Sequence, residues 1–206
     1  MTNANISGLL ESGAASRAAP GELLCGDMSL VQEHGGGALI GVVDGAGHGS
    51  GAASVAQTAI ALLKESAGEP VNAILERCHD GLRRSRGAAV SVAAFDAAAS
   101  RIVWSGVGNV EGALLSRDDA SGGRHESLML RNGVVGYRFA APRVSSLPVH
   151  AGDLLIFITD GIESGFLEGI DFRGPAQAVA DAILGRHAKG TDDALVLAVR
   201  FVGGAQ

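Results

Sequence analysis

The sequence predicts an α+β layered domain, antiparallel sheet with helices packed on its outside. Three observations carry this. The 206 residues are 47% hydrophobic and 18% charged, which suits one sizeable globular core spanning residues 1–206 and not a disordered chain. Most apolar residues fall in short strand-like runs separated by tight turns. Helical spacing appears twice in succession and once late, unlike a regular βαβ alternation.

In chain order, residues 1–13 are polar and small, expected to be a loose start or a short edge element. Ala14 to Leu24 is expected to hold a first strand, interrupted by Pro20-Gly21. Met28 to Glu33 and Ala38 to Val43 flank the turn His34-Gly35-Gly36-Gly37 and predict a hairpin. Ser50 then reads as an N-cap for a helix over Ala52 to Glu65, with Val55, Ala59, Leu62 and Leu63 at helical spacing. After Pro70 the spacing predicts a second helix over Val71 to Arg84, with Ile74, Leu75, Cys78 and Leu82 on one face. Its end carries Arg83, Arg84 and Arg86, cations that suit a helix C-terminus or a docking patch for an acidic partner.

Strand spacing then resumes over Ala88–Phe95, Ile102–Val107, Val110–Leu115, Glu126–Leu130 and Val144–Val149. Ser116 to His125 is polar and reads as a surface loop. The run Leu154 to Thr159 follows a turn, Glu163 to Gly174 is irregular, and Pro175 to His187 predicts a third helix. Ala194 to Val202 is the last strand.

The hairpin sets up the chemistry. If Glu33 faces Ala38, then Asp27 faces Asp44 at the open end. Leu154–Thr159 ends in Asp160-Gly161, and the last strand begins after Asp192-Asp193. Antiparallel pairing of these two would bring Asp160 beside Asp192. Converging carboxylates raise each other's pKa unless a cation joins them. An all-carboxylate set with no His or Cys suits Mg²⁺ or Mn²⁺ rather than zinc. Four carboxylates suit two ions sharing one ligand, and such a pair activates water and clamps a phosphoryl group. The expected reaction is phosphate-ester hydrolysis by metal-activated water.

Composition limits the alternatives. A net charge of −6 without a dense Lys/Arg stripe argues against a nucleic-acid surface. Cys25 and Cys78 have no CxxC partner and read as buried thiols of a reducing compartment. No apolar run reaches the roughly 20 residues of a membrane span. The start MTNANISGLL lacks a signal-peptide pattern, so a cytoplasmic protein is expected.

Four motifs in order resemble a known family: Gly26-Asp27, VVDGAGHGSGAA from Val42, ITDGIESGF from Ile158 and GTDDALVLAVR from Gly190. Together they resemble the PPM family of metal-dependent serine/threonine protein phosphatases, in its SpoIIE-like branch. The short chain, the CGD opening and Gly106–Asn109 look most like the small RsbX-type members. The resemblance implies a four-layer α-β-β-α sandwich, two antiparallel sheets flanked by helices, with the metal centre at one end. It implies that Asp44 bridges both ions with the Gly45 carbonyl on one of them, and that Asp27, Asp160 and Asp192 complete the site. Asp193 would stand behind Asp192. As to partners, it implies phosphorylated STAS-domain proteins of the stressosome.

The chain departs from the family pattern in three places. Many relatives have His directly after Asp-Gly, whereas here Ala46 stands there and His48 follows two residues later. His48 is therefore the candidate general acid, its bland alternative being a histidine hydrogen-bonded near a helix start. Asn109 stands where many relatives have Asp, and an amide is the poorer ligand, so two ions are expected rather than three. Arg17 is the one arginine near the first strand, so phosphate is expected to be held mainly by the metals. Two other readings are a binding module of the same fold with little turnover, and a hydrolase of small phosphate esters. The chain has no GxxxxGK[ST] nucleotide loop to favour the latter.

Overall fold

A computed structural model describes residues 5–6, 8–117, 125–139 and 141–202. Residues 1–4, and 118–124 of the expected polar loop, lie outside them. The chain runs β1 (Asn5–Ile6), β2 (Leu10–Arg17), β3 (Asp27–His34), β4 (Gly37–Gly45), α1 (Gly49–Glu65), α2 (Val71–Gly81) and β5 (Ala88–Asp96). It continues through β6 (Arg101–Val107), β7 (Glu111–Leu115), β8 (His125–Ser127), β9 (Ser145–Pro148), β10 (Leu154–Ile158), α3 (Ala176–His187) and β11 (Ala194–Phe201).

Two antiparallel sheets form, ordered β1-β2-β11-β10-β7-β8 and β3-β4-β5-β6-β9. Alternate residues of each central strand serve two different cores. Ala38, Ile40 and Val42 of β4 meet Leu197, Val199 and Phe201 of β11 in the layer between the sheets, with Trp104 and Phe157. Leu39 and Val43 turn the other way, onto Leu63, Ile74 and Leu75 of α1 and α2. Ile156, Val196 and Ala198 face α3 through Val179 and Ile183. Both faces of the inner strands are therefore buried, which explains why Ala38–Val43 and Leu154–Ile158 are apolar without alternation. Each fully buried Leu, Ile or Val among them contributes about 1.5–3 kcal/mol. The layers are those of an α-β-β-α sandwich.

Several boundaries differ from the sequence reading; the strand read as Glu126–Leu130, for one, runs His125–Ser127. Strand β2 runs Leu10–Arg17, so residues 10–13 are not loose but pair with Val199 to Phe201 and Ala198 of β11. Its small residues hid it. They are small because α3 lies directly on it: a Cβ at Gly13 would overlap the backbone of Gln177. Gly13→Ala is expected to lower stability by about 1–3 kcal/mol through this overpacking. The measurement is a denaturant midpoint at unchanged m-value, and an unshifted midpoint would contradict the close approach.

Helix α1 begins at Gly49, not Ala52, with His48 rather than Ser50 at the N-cap. Helix α2 stops at Gly81, so Arg83, Arg84 and Arg86 lie beyond it. Arg84 takes a left-handed φ of 73° in the turn that follows the helix. Among the described residues no helix is long and apolar enough to cross a membrane.

Candidate metal centre

The β3–β4 hairpin pairs Glu33 with Ala38 and Asp27 with Asp44. Strands β10 and β11 pair antiparallel, with Ile158 opposite Val196. Asp160 follows the end of β10 and Asp192 precedes the start of β11, so all four aspartates reach the same end of the sandwich. There they line one pocket of about 410 Å³, with Asp193, Ala46, Gly47, His48 and Asn109. Among the described residues no arginine or lysine lines it, Arg17 included. Gly45 is buried beneath it, its N–H donating to the Gly26 carbonyl at 3.1 Å.

Asp27, Asp160, Asp192 and Asp193 each have a hydrogen-bond partner. The Thr159 hydroxyl donates to Asp27 Oδ2 at 2.7 Å and accepts the Leu195 N–H at 2.8 Å, tying the two sheets together at the pocket. Asn109 Nδ2 donates to Asp160 Oδ2 at 2.7 Å, and Lys189 Nζ to the Asp160 carbonyl at 2.6 Å. Asp192 Oδ1 accepts the N–H of Asp193 at 2.8 Å. Asp193 has a different task. Its two oxygens accept the N–H groups of Ala19, at 2.8 Å, and Gly26, at 2.9 Å, and so fasten the β2–β3 loop to the start of β11. The space for this exists because residue 26 has no side chain: a Cβ there would lie 2.8 Å from Asp193 Oδ2.

Electrostatics mark the pocket. Burial pushes the Asp44 carboxyl up to about 8, and the charges of Asp27, Asp160 and Asp192 add to the rise. Burial likewise pushes Asp27 up to about 7, against the opposing Thr159 hydrogen bond and with help from Asp193, Asp160 and Asp192. Among the described residues no three His, Cys, Asp or Glu side chains are already drawn to the spacing of a ligand shell. Asp27, Asp44, Asp160 and Asp192 share the lining of the pocket without reaching that spacing. Their donor set, all oxygen, fits Mg²⁺ or Mn²⁺, and such cations would relieve both the repulsion and the desolvation.

His48 stands at the pocket rim, its side chain 64% exposed, with Nδ1 at 2.7 Å from Glu22 Oε1. The sequence reading missed Glu22, Thr159 and Lys189. Only the glycines at 47, 49 and 51 hint at Glu22 and Arg86: a Cβ at Gly49 would overlap the Glu22 carboxylate, and one at Gly51 would lie 3.0 Å from the Arg86 guanidinium. Of the two cysteines, Cys78 is buried whereas Cys25 is only half-buried, its thiol donating to the Arg17 carbonyl. Burial pushes both thiols up, to about 11 for Cys25 and about 12 for Cys78, which keeps them protonated and unreactive.

A two-sheet sandwich flanked by helices, with acidic residues gathered at one end, defines a phosphoprotein phosphatase of the PPM class. More narrowly, the chain belongs to the SpoIIE family: the family model described as Stage II sporulation protein E (SpoIIE) matches residues 34–202. Solved structures share the fold. One described as "The bacterial stressosome: a modular system that has been adapted to control secondary messenger signaling" is 29% identical, with TM-score 0.84 over 93% of this chain and 99% of that one. RsbX in complex with magnesium is 20% identical, with TM-score 0.84 over 98% of this chain and 100% of that one. The PP2C phosphatase domain of SpoIIE from Bacillus subtilis is 22% identical, with TM-score 0.78 over 96% of this chain and 64% of that one. No curated protein matches the sequence significantly.

Proposed function

We propose that this chain is a metal-dependent serine/threonine phosphatase that removes phosphate from a signalling protein, with STAS-domain stressosome proteins as substrates and the cytoplasm as its site of action. The observation that carries the reaction is the placing of Asp27, Asp44, Asp160 and Asp192 around one pocket, with Asp27 and Asp44 pushed toward neutrality. The likeness to a structure from the stressosome supports the substrate class.

In this reading Asp44, the Gly45 carbonyl, Asp27, Asp160 and Asp192 would hold two divalent cations, Mg²⁺ or Mn²⁺, with Asp44 shared between them. The bound ions would supply an activated water and charge neutralisation at the phosphoryl group. Thr159 fixes the rotamer of Asp27, and Asn109 fixes that of Asp160. Asn109 adds no charge, which suits two ions rather than three. Asp193 holds the loop that presents Asp27 and is not a ligand in this scheme. The Glu22 carboxylate orients His48 through Nδ1, which leaves Nε2 to give a proton to the leaving alkoxide.

The test is release of p-nitrophenol from p-nitrophenyl phosphate by the purified protein, metal-free and with Mn²⁺ or Mg²⁺ added. Turnover only with metal is expected. Folded protein without turnover under any metal would favour a binding module instead. His48→Ala separates the general acid from the metals. It is expected to slow hydrolysis of a phosphoserine peptide about 10²-fold, because serine alkoxide is a poor leaving group, and to change the aryl phosphate rate little. Equal losses on the two substrates would remove His48 from the acid role.

A further inference from the structure

We infer that the rim of the pocket formed by residues 82–87 and 131–138 is a docking surface for an acidic segment flanking the phosphorylated residue of the substrate protein. The inference rests on the phosphatase reading above and names what its substrate must carry.

Charge is distributed unevenly along this chain. The stretches 81–95 and 127–152 contain Arg83, Arg84, Arg86, Arg131, Arg138 and Arg143 and no Asp or Glu, in a protein with 22 acidic residues and a net charge of −6. The fold brings residues 134–139 of the second stretch against the end of α2 and the start of β5. Ala88 and Val135 exchange backbone hydrogen bonds at 3.0 and 2.9 Å. The Gly136 N–H donates to His79 Nδ1 of α2 at 2.9 Å, and Phe139 stacks on the His79 ring at 4.6 Å. A turn closed by Val134 and Arg138, at 2.7 and 2.9 Å, holds Tyr137 at its tip, 81% exposed.

This ledge adjoins the reaction pocket. Asn132, Gly133 and Val134 form part of the pocket wall, and Arg86 Nη1 donates at 3.3 Å to the carbonyl of Ala46, another wall residue. Arg83 is paired with Asp80 at 3.1 Å. Arg84 and Arg138 are exposed, and neither guanidinium has a hydrogen bond or ion pair among the described residues. Two exposed arginines without an ion pair among the described residues, Arg84 and Arg138, with an exposed tyrosine are the chemistry that recognises a carboxylate-bearing chain. A phosphoresidue seated in the pocket would carry its neighbours across it. The position explains why a pocket lined by aspartates, and lacking any cation of its own, can still attract an acidic substrate.

The test uses two phosphoserine peptides, one with two glutamates on each side of the phosphoserine and one with glutamines there. Binding to the wild-type protein is measured by fluorescence anisotropy at low and high salt. The glutamate peptide is expected to bind about tenfold more tightly at low salt, and the preference is expected to fade at high salt. It should vanish in Arg84→Glu/Arg138→Glu, while that variant keeps wild-type turnover of p-nitrophenyl phosphate, which is too small to reach the ledge. Arg84→Gln/Arg138→Gln, with no new charge, should show an intermediate loss. A wild-type protein that binds both peptides equally, or a variant that keeps the preference, overturns the inference. Absent turnover of every substrate with intact peptide preference would instead strike the phosphatase reading and leave the ledge standing.

Discussion

Asp44→Asn is expected to abolish metal-dependent turnover, with kcat/KM falling at least about 10³-fold, a loss of roughly 4 kcal/mol in transition-state stabilisation. Asp44 is the carboxylate opposed to Asp27 in the hairpin and the one on which burial and the three other aspartates act together. If it bridges two ions, an amide in its place holds neither well, and calorimetric titration with Mn²⁺ should lose both binding events. The metal-free fold should survive, because the substitution removes a buried group that repels its neighbours. A variant that unfolds, or one that keeps near wild-type activity, would refute the bridging assignment.

The metal-free protein should become less stable as pH rises from about 4 to about 8. Asp27 and Asp44 have folded values near 7 and 8 against an ordinary value of 3.8. Across that interval the folded state binds more protons than the unfolded state, so the slope of unfolding free energy with pH is negative. The stabilising contribution is complete below the unfolded value and is lost as pH climbs through the folded values. Saturating Mn²⁺ or Mg²⁺ should reverse the trend, since binding requires the ionised carboxylates and displaces their protons. Thermal melts at pH 5, 7 and 8.5, each with chelator and with metal, decide this. A midpoint that rises with pH in chelator would show that the two carboxyls are not held protonated.

Much of the site was legible because its parts are local or end on strands. The glycine turn at 35–37 and its two apolar arms fix the hairpin register, and the register alone sets Asp27 against Asp44. Asp160 and Asp192 were legible as strand-terminal residues once β10 and β11 were taken as antiparallel. What pattern reading misses is long-range and polar. Thr159 looks like the end of an apolar run, yet its hydroxyl serves Asp27, 132 residues away in sequence. Glu22 sits in an unremarkable loop until the fold places it on His48. The division of the strands into two sheets has no periodic signature either, because strands of both sheets are buried on both faces. Helix α1 is misjudged at its start because Gly49 and Gly51 argue against helix, whereas here they make room for Glu22 and Arg86.

The Thr159 hydroxyl joins Asp27 of one sheet to Leu195 of the other. Cation binding at this end is therefore an event in the seam of the sandwich. Filling it should slow exchange of the Leu195 amide and of the neighbouring β3 and β11 amides with heavy water, well beyond the pocket. At a hundredfold excess over the dissociation constant, the ions would add about 2.7 kcal/mol to global stability for each independent site. Cellular metal supply would then set how long the molecule lasts as well as how fast it works.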